Sequence, residues 1–208
     1  RRLLTAIYDC FYKCVTLEVP IEEAEFPKEL LYYKNYNLRR NPKDPRNTLD
    51  ELIWKRSELT GKYIGCPYWS VAAKVLFDKK LTKLTSGRSA SLFDAEKTAE
   101  SLNKLKGENG LVRADSERLI HEHVFPRNHL IRELQSLGTS LKRKPLERLI
   151  ERFAVDCVLL KTEDSLLIQR DGDPKNLWQR YRTGTITLVD NPAWPAEHRR
   201  MINAASLV

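Results

Sequence analysis

The sequence predicts an α+β fold, mostly helical, with one small strand–strand–helix unit. Three observations carry this. Apolar residues recur at helical spacing through most of the chain. Leu119 to Val124 alternates in the period-two manner of a strand, with Ile120, Glu122 and Val124 on one side and His121 and His123 on the other. Ala154 to Leu160, AVDCVLL, has the apolar and β-branched density of a buried strand, and an acidic helix start follows it at Thr162-Glu163-Asp164.

A chain of 208 residues is long enough for one sizeable core, and 41% hydrophobic with 31% charged residues is ordinary for a globular protein. Lys and Arg total 36 against 28 Asp and Glu, a net charge of +8 that favours a polyanionic partner. No apolar run approaches the roughly 20 residues a membrane-spanning helix needs, and no secretory pattern opens the chain. With four sparse cysteines (Cys10, Cys14, Cys66 and Cys157), mostly in apolar runs, the expectation is a reduced cytoplasmic protein with its thiols in the core. The first residue is Arg1, which leaves open whether residues precede it.

Leu3, Leu4, Ile7, Tyr8, Phe11, Cys14 and Val15 form a helical stripe, ended by Pro20. Leu30 to Tyr33 suggests another short element, and Arg39, Arg40, Lys43 and Arg46 make a proline-broken basic loop. Thr48 and Glu51 have capping-box spacing, which predicts a helix stopped by Gly61. Tyr68 and Trp69 either stack a base or pin the start of a helix over Val71–Lys80 into the core. Ser91–Lys106 reads as an amphipathic helix ending at Gly107, with a turn at Asn109-Gly110. Helices follow over Asn128–Leu137 and Pro145–Phe153, with Lys142, Arg143 and Lys144 leading into the second. After the Ala154–Leu160 strand come a helix over Thr162–Gln169, another over Asp173–Arg182 ended by Gly184, and a last strand over Thr185–Val189.

The densest chemistry lies in Leu119–Asn128, LIHEHVFPRN. His121, His123 and His129 are three of the four histidines, and Glu122 stands between two of them. Histidine beside a carboxylate invites a metal or acid–base reading, because imidazole is largely neutral near pH 7 and can take a proton from water. On the strand reading Glu122 faces away from His121 and His123. A bend near His123 would instead bring Glu122 and His123 to one site. Glu122 and Asp164 would then supply oxygen ligands to one divalent ion, with Glu163 adjoining and His123 as base. His121 is a second catalytic candidate or a strand residue, and Arg127 a phosphate clamp or a carboxylate partner. Glu163 and Asp164 otherwise only favour a helix N-terminus.

Glu122-His123-Val124-Phe125-Pro126 resembles the first-strand signature of the HNH, or ββα-metal, nucleases. Tyr63 to Ser70, His121 to Arg127, Cys157 to Asp164 and Trp178 to Tyr181 ahead of Gly184-Thr185-Ile186 resemble the shared pieces of a group of uncharacterised bacterial HNH-like proteins. The resemblance implies a small ββα-metal unit from residues 119–126 and 154–169, and metal-dependent hydrolysis of DNA in the style of a restriction or host-defence nuclease. Asp164 stands where that group carries histidine, which shifts the expected cofactor toward Mg²⁺ or Mn²⁺. The alternative is a basic module that binds nucleic acid without cleaving it.

The expected organisation is a helical part over 1–110, the ββα-metal-like unit with a helical insertion over 111–190, and a tail over 191–208, all in one compact domain. DNA is the expected partner, with RNA left open. It would be held by Lys142, Arg143, Lys144, Arg39, Arg40 and Arg46. No membrane partner is expected, and a homodimer is left open.

Overall fold

A computed structural model describes residues 2–17, 45–58, 63–107, 110–138, 141–167 and 176–191. It shows an α+β protein, mostly helical, with a four-stranded mixed sheet. The expected element at Leu30–Tyr33, Arg39, Arg40, the Asp173-Pro174 helix start and the tail from Pro192 lie outside the described residues. The chain divides into two compact units: Arg1–Leu59 with Phe125–Ala154, and Thr60–Val124 with Val155–Val208. The helical segments between the strand through His121 and the strand through Cys157 therefore belong with the N-terminal helices.

The first unit contains α1 (Arg2–Leu17) and α2 (Pro45–Glu58). It also contains α5 (Arg127–Leu137) and α6 (Arg143–Phe153). Each helix buries one apolar stripe: Ile7, Phe11 and Val15; Leu49, Leu52 and Ile53; Leu130, Ile131 and Leu134; Leu146, Ile150 and Phe153. Removing each such side chain from water contributes roughly 1.5–3 kcal/mol. Helix α2 begins at Pro45, three residues before the expected start at Thr48. Proline suits a first helical position, where its missing N–H has no carbonyl to meet. Arg46 falls inside α2, with its side chain outside the described set. Gly138 ends α5, as its freedom at φ 54° allows.

The second unit carries the sheet, in the order β2-β3-β1-β4. Its strands are β1 (Tyr68–Ser70), β2 (Leu119–His123), β3 (Asp156–Leu160) and β4 (Leu188–Asp190). β1 and β3 are parallel, while β2 pairs antiparallel with β3 and β4 with β1. The last strand is thus shorter and later than Thr185–Val189. Helix α3 (Val71–Thr85) follows β1 directly, and the Ser70 hydroxyl accepts the Ala73 N–H at 3.0 Å to cap it. Helix α4 (Leu92–Asn103) opens with a capping box between Ser91 and Asp94 and stops short of Lys106.

Tyr68 and Trp69 are both buried in β1, so they are core residues and offer no face to a base. One core cluster joins Trp69, Ala73, Phe77, Ala99, Leu102, Leu119, Val158 and Leu160, placing α3 and α4 against one face of the sheet. Helix α7 (Lys161–Asp164) follows β3 and starts one residue before the expected Thr162 cap. A short α8 (Gln179–Thr183) precedes β4. No helix among the described residues is long and apolar enough to cross a membrane.

Candidate functional site

β2 runs as a regular strand through His123, without a bend. Its register sets His121 opposite Val158, Glu122 opposite Cys157, and His123 opposite Asp156. Directly paired residues share a face and successive ones alternate. Glu122 and Cys157 therefore face one side of the sheet, while His121, His123 and Asp156 face the other. The structure does not bring Glu122 and His123 to one site.

On the histidine face, the Asp156 carboxylate lies between two imidazoles. His121 Nε2 is 2.9 Å from Asp156 Oδ2, and His123 Nε2 is 3.3 Å from Oδ1. All three side chains are 5% exposed or less. Cys66 completes the cluster: its Sγ, a His121 ring nitrogen and an Asp156 oxygen all lie within 4.8 Å of one another. The turn that presents Cys66 is tightly held. Tyr63 sits at its start with φ 65°, a left-handed conformation that a bulky residue rarely adopts. Cys66 N–H closes the turn on Tyr63 O at 2.9 Å. The Asn191 side-chain amide donates to Ile64 O at 2.6 Å and to Cys66 O at 2.8 Å.

On the other face, Arg180 from α8 is buried and donates to Glu122 Oε1 at 3.2 Å and to His123 O at 3.3 Å. Tyr181 OH lies 3.1 Å from Cys157 Sγ. Burial pushes both the Cys157 thiol and the Tyr181 phenol well above their ordinary values, so both stay protonated.

The carboxylates expected to bind a hard cation are engaged separately. Glu163 Oε2 accepts Ser70 Oγ–H at 2.5 Å and Leu160 N–H at 2.8 Å, tying the end of β1 to the start of α7. Asp164 pairs with Lys161 at 2.5 Å, and Glu122 pairs with Arg180. Among the described residues, Cys66, His121 and Asp156 form the one group of three ligand atoms with spacing fit for an ion. Glu122, Glu163 and Asp164 do not converge on a Mg²⁺ or Mn²⁺ in this arrangement.

Arg127 lies in the helical unit, where it pairs with Asp50 at 2.7 Å and covers the Trp54 ring at 4.4 Å. It takes the carboxylate-partner reading. Arg143 is held by Glu147 at 2.8 Å and by Asp9, whereas Lys142 and Lys144 are exposed. His129 sits on α5 with its ring edge against Phe125.

Sequence reasoning does not single out Cys66 and Asp156 as site residues. The available signals are a cysteine held between Gly65 and Pro67, and an acid inside the apolar run AVDCVLL. No family model, curated protein or solved structure matches the chain.

Proposed function

We infer that this protein is a basic nucleic-acid-binding module built on an HNH-like strand–strand–helix frame. The exposed basic side chains at the start of α6 carry this reading. Lys142, Lys144 and Arg148 are exposed, and Lys144 and Arg148 stand one turn apart. The acids of the same helix are engaged elsewhere: Glu147 by Arg143, and Glu151 by the Tyr8 hydroxyl at 3.1 Å. The exposed side chains thus leave a net positive stripe, consistent with the overall +8. In the other unit α3 exposes Lys79 and Lys83. Duplex and single-stranded DNA and RNA, titrated at several salt concentrations, test the reading. Binding should weaken steeply with salt through counterion release. Affinity that does not change with salt would overturn it.

A metal-dependent nuclease hydrolysing DNA is the second reading, favoured by the His123–Asp156 pair. A carboxylate beside an imidazole is how a general base is oriented. His123 is only 4% exposed, which keeps a phosphodiester from its ring and ranks this reading second. Plasmid nicking with Mg²⁺ or Mn²⁺ that is lost in His123→Ala would reverse the order.

A further inference from the structure

We propose that Cys66, His121 and Asp156 form a site for a borderline-soft divalent cation, best matched by Zn²⁺, with His123 as the residue that positions the Asp156 carboxylate. The site lies on the face of the sheet opposite Glu122, so it is separate from the carboxylate set that the HNH-like resemblance implies.

The donor chemistry comes first. A thiolate, an imidazole and a carboxylate together suit Zn²⁺, while Mg²⁺ and Ca²⁺ prefer oxygen alone. Zinc bonds of about 2.3 Å to sulfur and about 2.0–2.2 Å to nitrogen or oxygen place tetrahedral donors roughly 3.3–3.6 Å apart. The present atoms lie within 4.8 Å of one another, with His121 Nε2 and Asp156 Oδ2 at 2.9 Å. Small side-chain movements, with His121 and Asp156 parting by a few tenths of an ångström, would bring the donors to these separations.

Three parts of the chain deliver these donors, and each is fixed. Cys66 comes from the turn that starts at left-handed Tyr63 and is clamped by Asn191. His121 and Asp156 come from adjacent strands in fixed register. A non-glycine residue held in the left-handed region persists only where its surroundings over-determine it, and here it aims a thiol at a histidine and an acid. Asp156 presents one oxygen toward His121 and the other toward His123. The His123 contact is the outer hydrogen bond that orients a ligating carboxylate. On binding, the Cys66 thiol gives its proton to solvent and ligates as thiolate. Three protein donors leave one coordination position of a tetrahedral ion for water.

Co²⁺ added to the metal-free full chain is the probe. A near-ultraviolet thiolate-to-cobalt band and tetrahedral visible bands should appear at one equivalent and be displaced by Zn²⁺. Cys66→Ser should remove the near-ultraviolet band. His123→Gln should keep the band and weaken affinity about 10-fold, as loss of an orienting partner does. A measurement on the unaltered chain guards against variants that fail to fold: Zn²⁺ should raise its melting temperature and protect Cys66 from alkylation in mild denaturant, read by peptide mass spectrometry. No cobalt spectrum with no zinc protection overturns the site, as does a thiolate band that persists in folded Cys66→Ser. Either result leaves the nucleic-acid reading standing, since that is measured by salt-dependent binding.

Discussion

Arg180 and Glu122 form an ion pair at 3.2 Å, in which the guanidinium side chain is 3% exposed and the carboxylate side chain 24%. The same guanidinium reaches the carbonyls of His123 and Val124, at 3.3 and 3.5 Å. One buried cation thus fastens α8 to the end of β2, and Glu122 balances its charge. Removing one partner of a buried pair leaves the other charge uncompensated, which typically costs about 3–5 kcal/mol. Because Glu122 keeps some exposure to water, Arg180→Met should destabilise by about 3 kcal/mol, the lower end of that range. Glu122→Gln should cost a comparable amount, about 3 kcal/mol, because it leaves the more deeply buried Arg180 charge without its counter-ion although an amide oxygen still accepts. Urea unfolding of both variants checks this, and a neutral Arg180→Met would remove the pair from the account of stability.

The two classes of arginine and lysine on α6 should separate in binding. Lys144 and Arg148 are exposed, while Arg143 is occupied by Asp9 and Glu147. Each phosphate left without its cation lowers the slope of log affinity against log salt by about 0.9. Lys144→Gln with Arg148→Gln should flatten the slope by up to about 2. Arg143→Gln should leave the slope unchanged and lower the melting temperature slightly. Equal slope changes in both would mean that Arg143 leaves its carboxylates to meet phosphate.

The strand through the histidines is legible in the sequence because alternation is a local property, and the same alternation places Glu122 away from His123. The short run AVDCVLL is legible from composition alone. Long-range pairing is not: Arg180 meets Glu122, and Asn191 meets Cys66, through tertiary placement that no local pattern encodes. Glu163 and Asp164 have a helix start's composition; Glu163 accepts the Leu160 N–H ahead of α7, while Asp164 pairs with Lys161. The capping-box spacing at Thr48 is outweighed by Pro45, whose ring presets the helical φ at its first position. Tyr68 and Trp69 offer two readings, and the register of β1 between β3 and β4 buries both.

Tyr8 gives the helical unit an alkaline pH dependence. Its hydroxyl donates to Glu151 at 3.1 Å and accepts Arg56 Nε–H at 3.4 Å. Burial is the main cause that pushes its pKa from 10.0 to about 12, with Glu151 adding to the rise and Arg56 opposing it. A folded-state value above the unfolded one means that the folded state holds the proton more tightly. The associated stability is complete below pH 10 and is lost as pH rises toward 12. Tyr8→Phe should cost about 1 kcal/mol at neutral pH for the lost hydrogen bond. The gap between the two proteins should shrink as pH rises through that window. A gap that stays constant would show that Tyr8 ionises alike in both states.

Ser70 and Glu163 make the sharpest test of whether the acidic helix start is structural. The Ser70 hydroxyl donates to Glu163 Oε2 at 2.5 Å and accepts from Ala73 N–H at 3.0 Å. It therefore caps α3 while its proton goes to α7, and the same Glu163 oxygen takes the Leu160 N–H at 2.8 Å. Ser70→Ala should cost about 1–2 kcal/mol as a lost cap. Glu163→Ala should cost about 2 kcal/mol, since two donors lose their acceptor. The double variant should be less destabilised than the sum by about 1 kcal/mol, because both single changes break the same bond. A ligand carboxylate behaves differently: Mg²⁺ or Mn²⁺ would raise the melting temperature of the unaltered chain by mass action, and Glu163→Gln would abolish the rise. The clamp predicts the same response to these ions in both proteins. A metal-dependent rise confined to the unaltered chain would return Glu163 to the role of ligand.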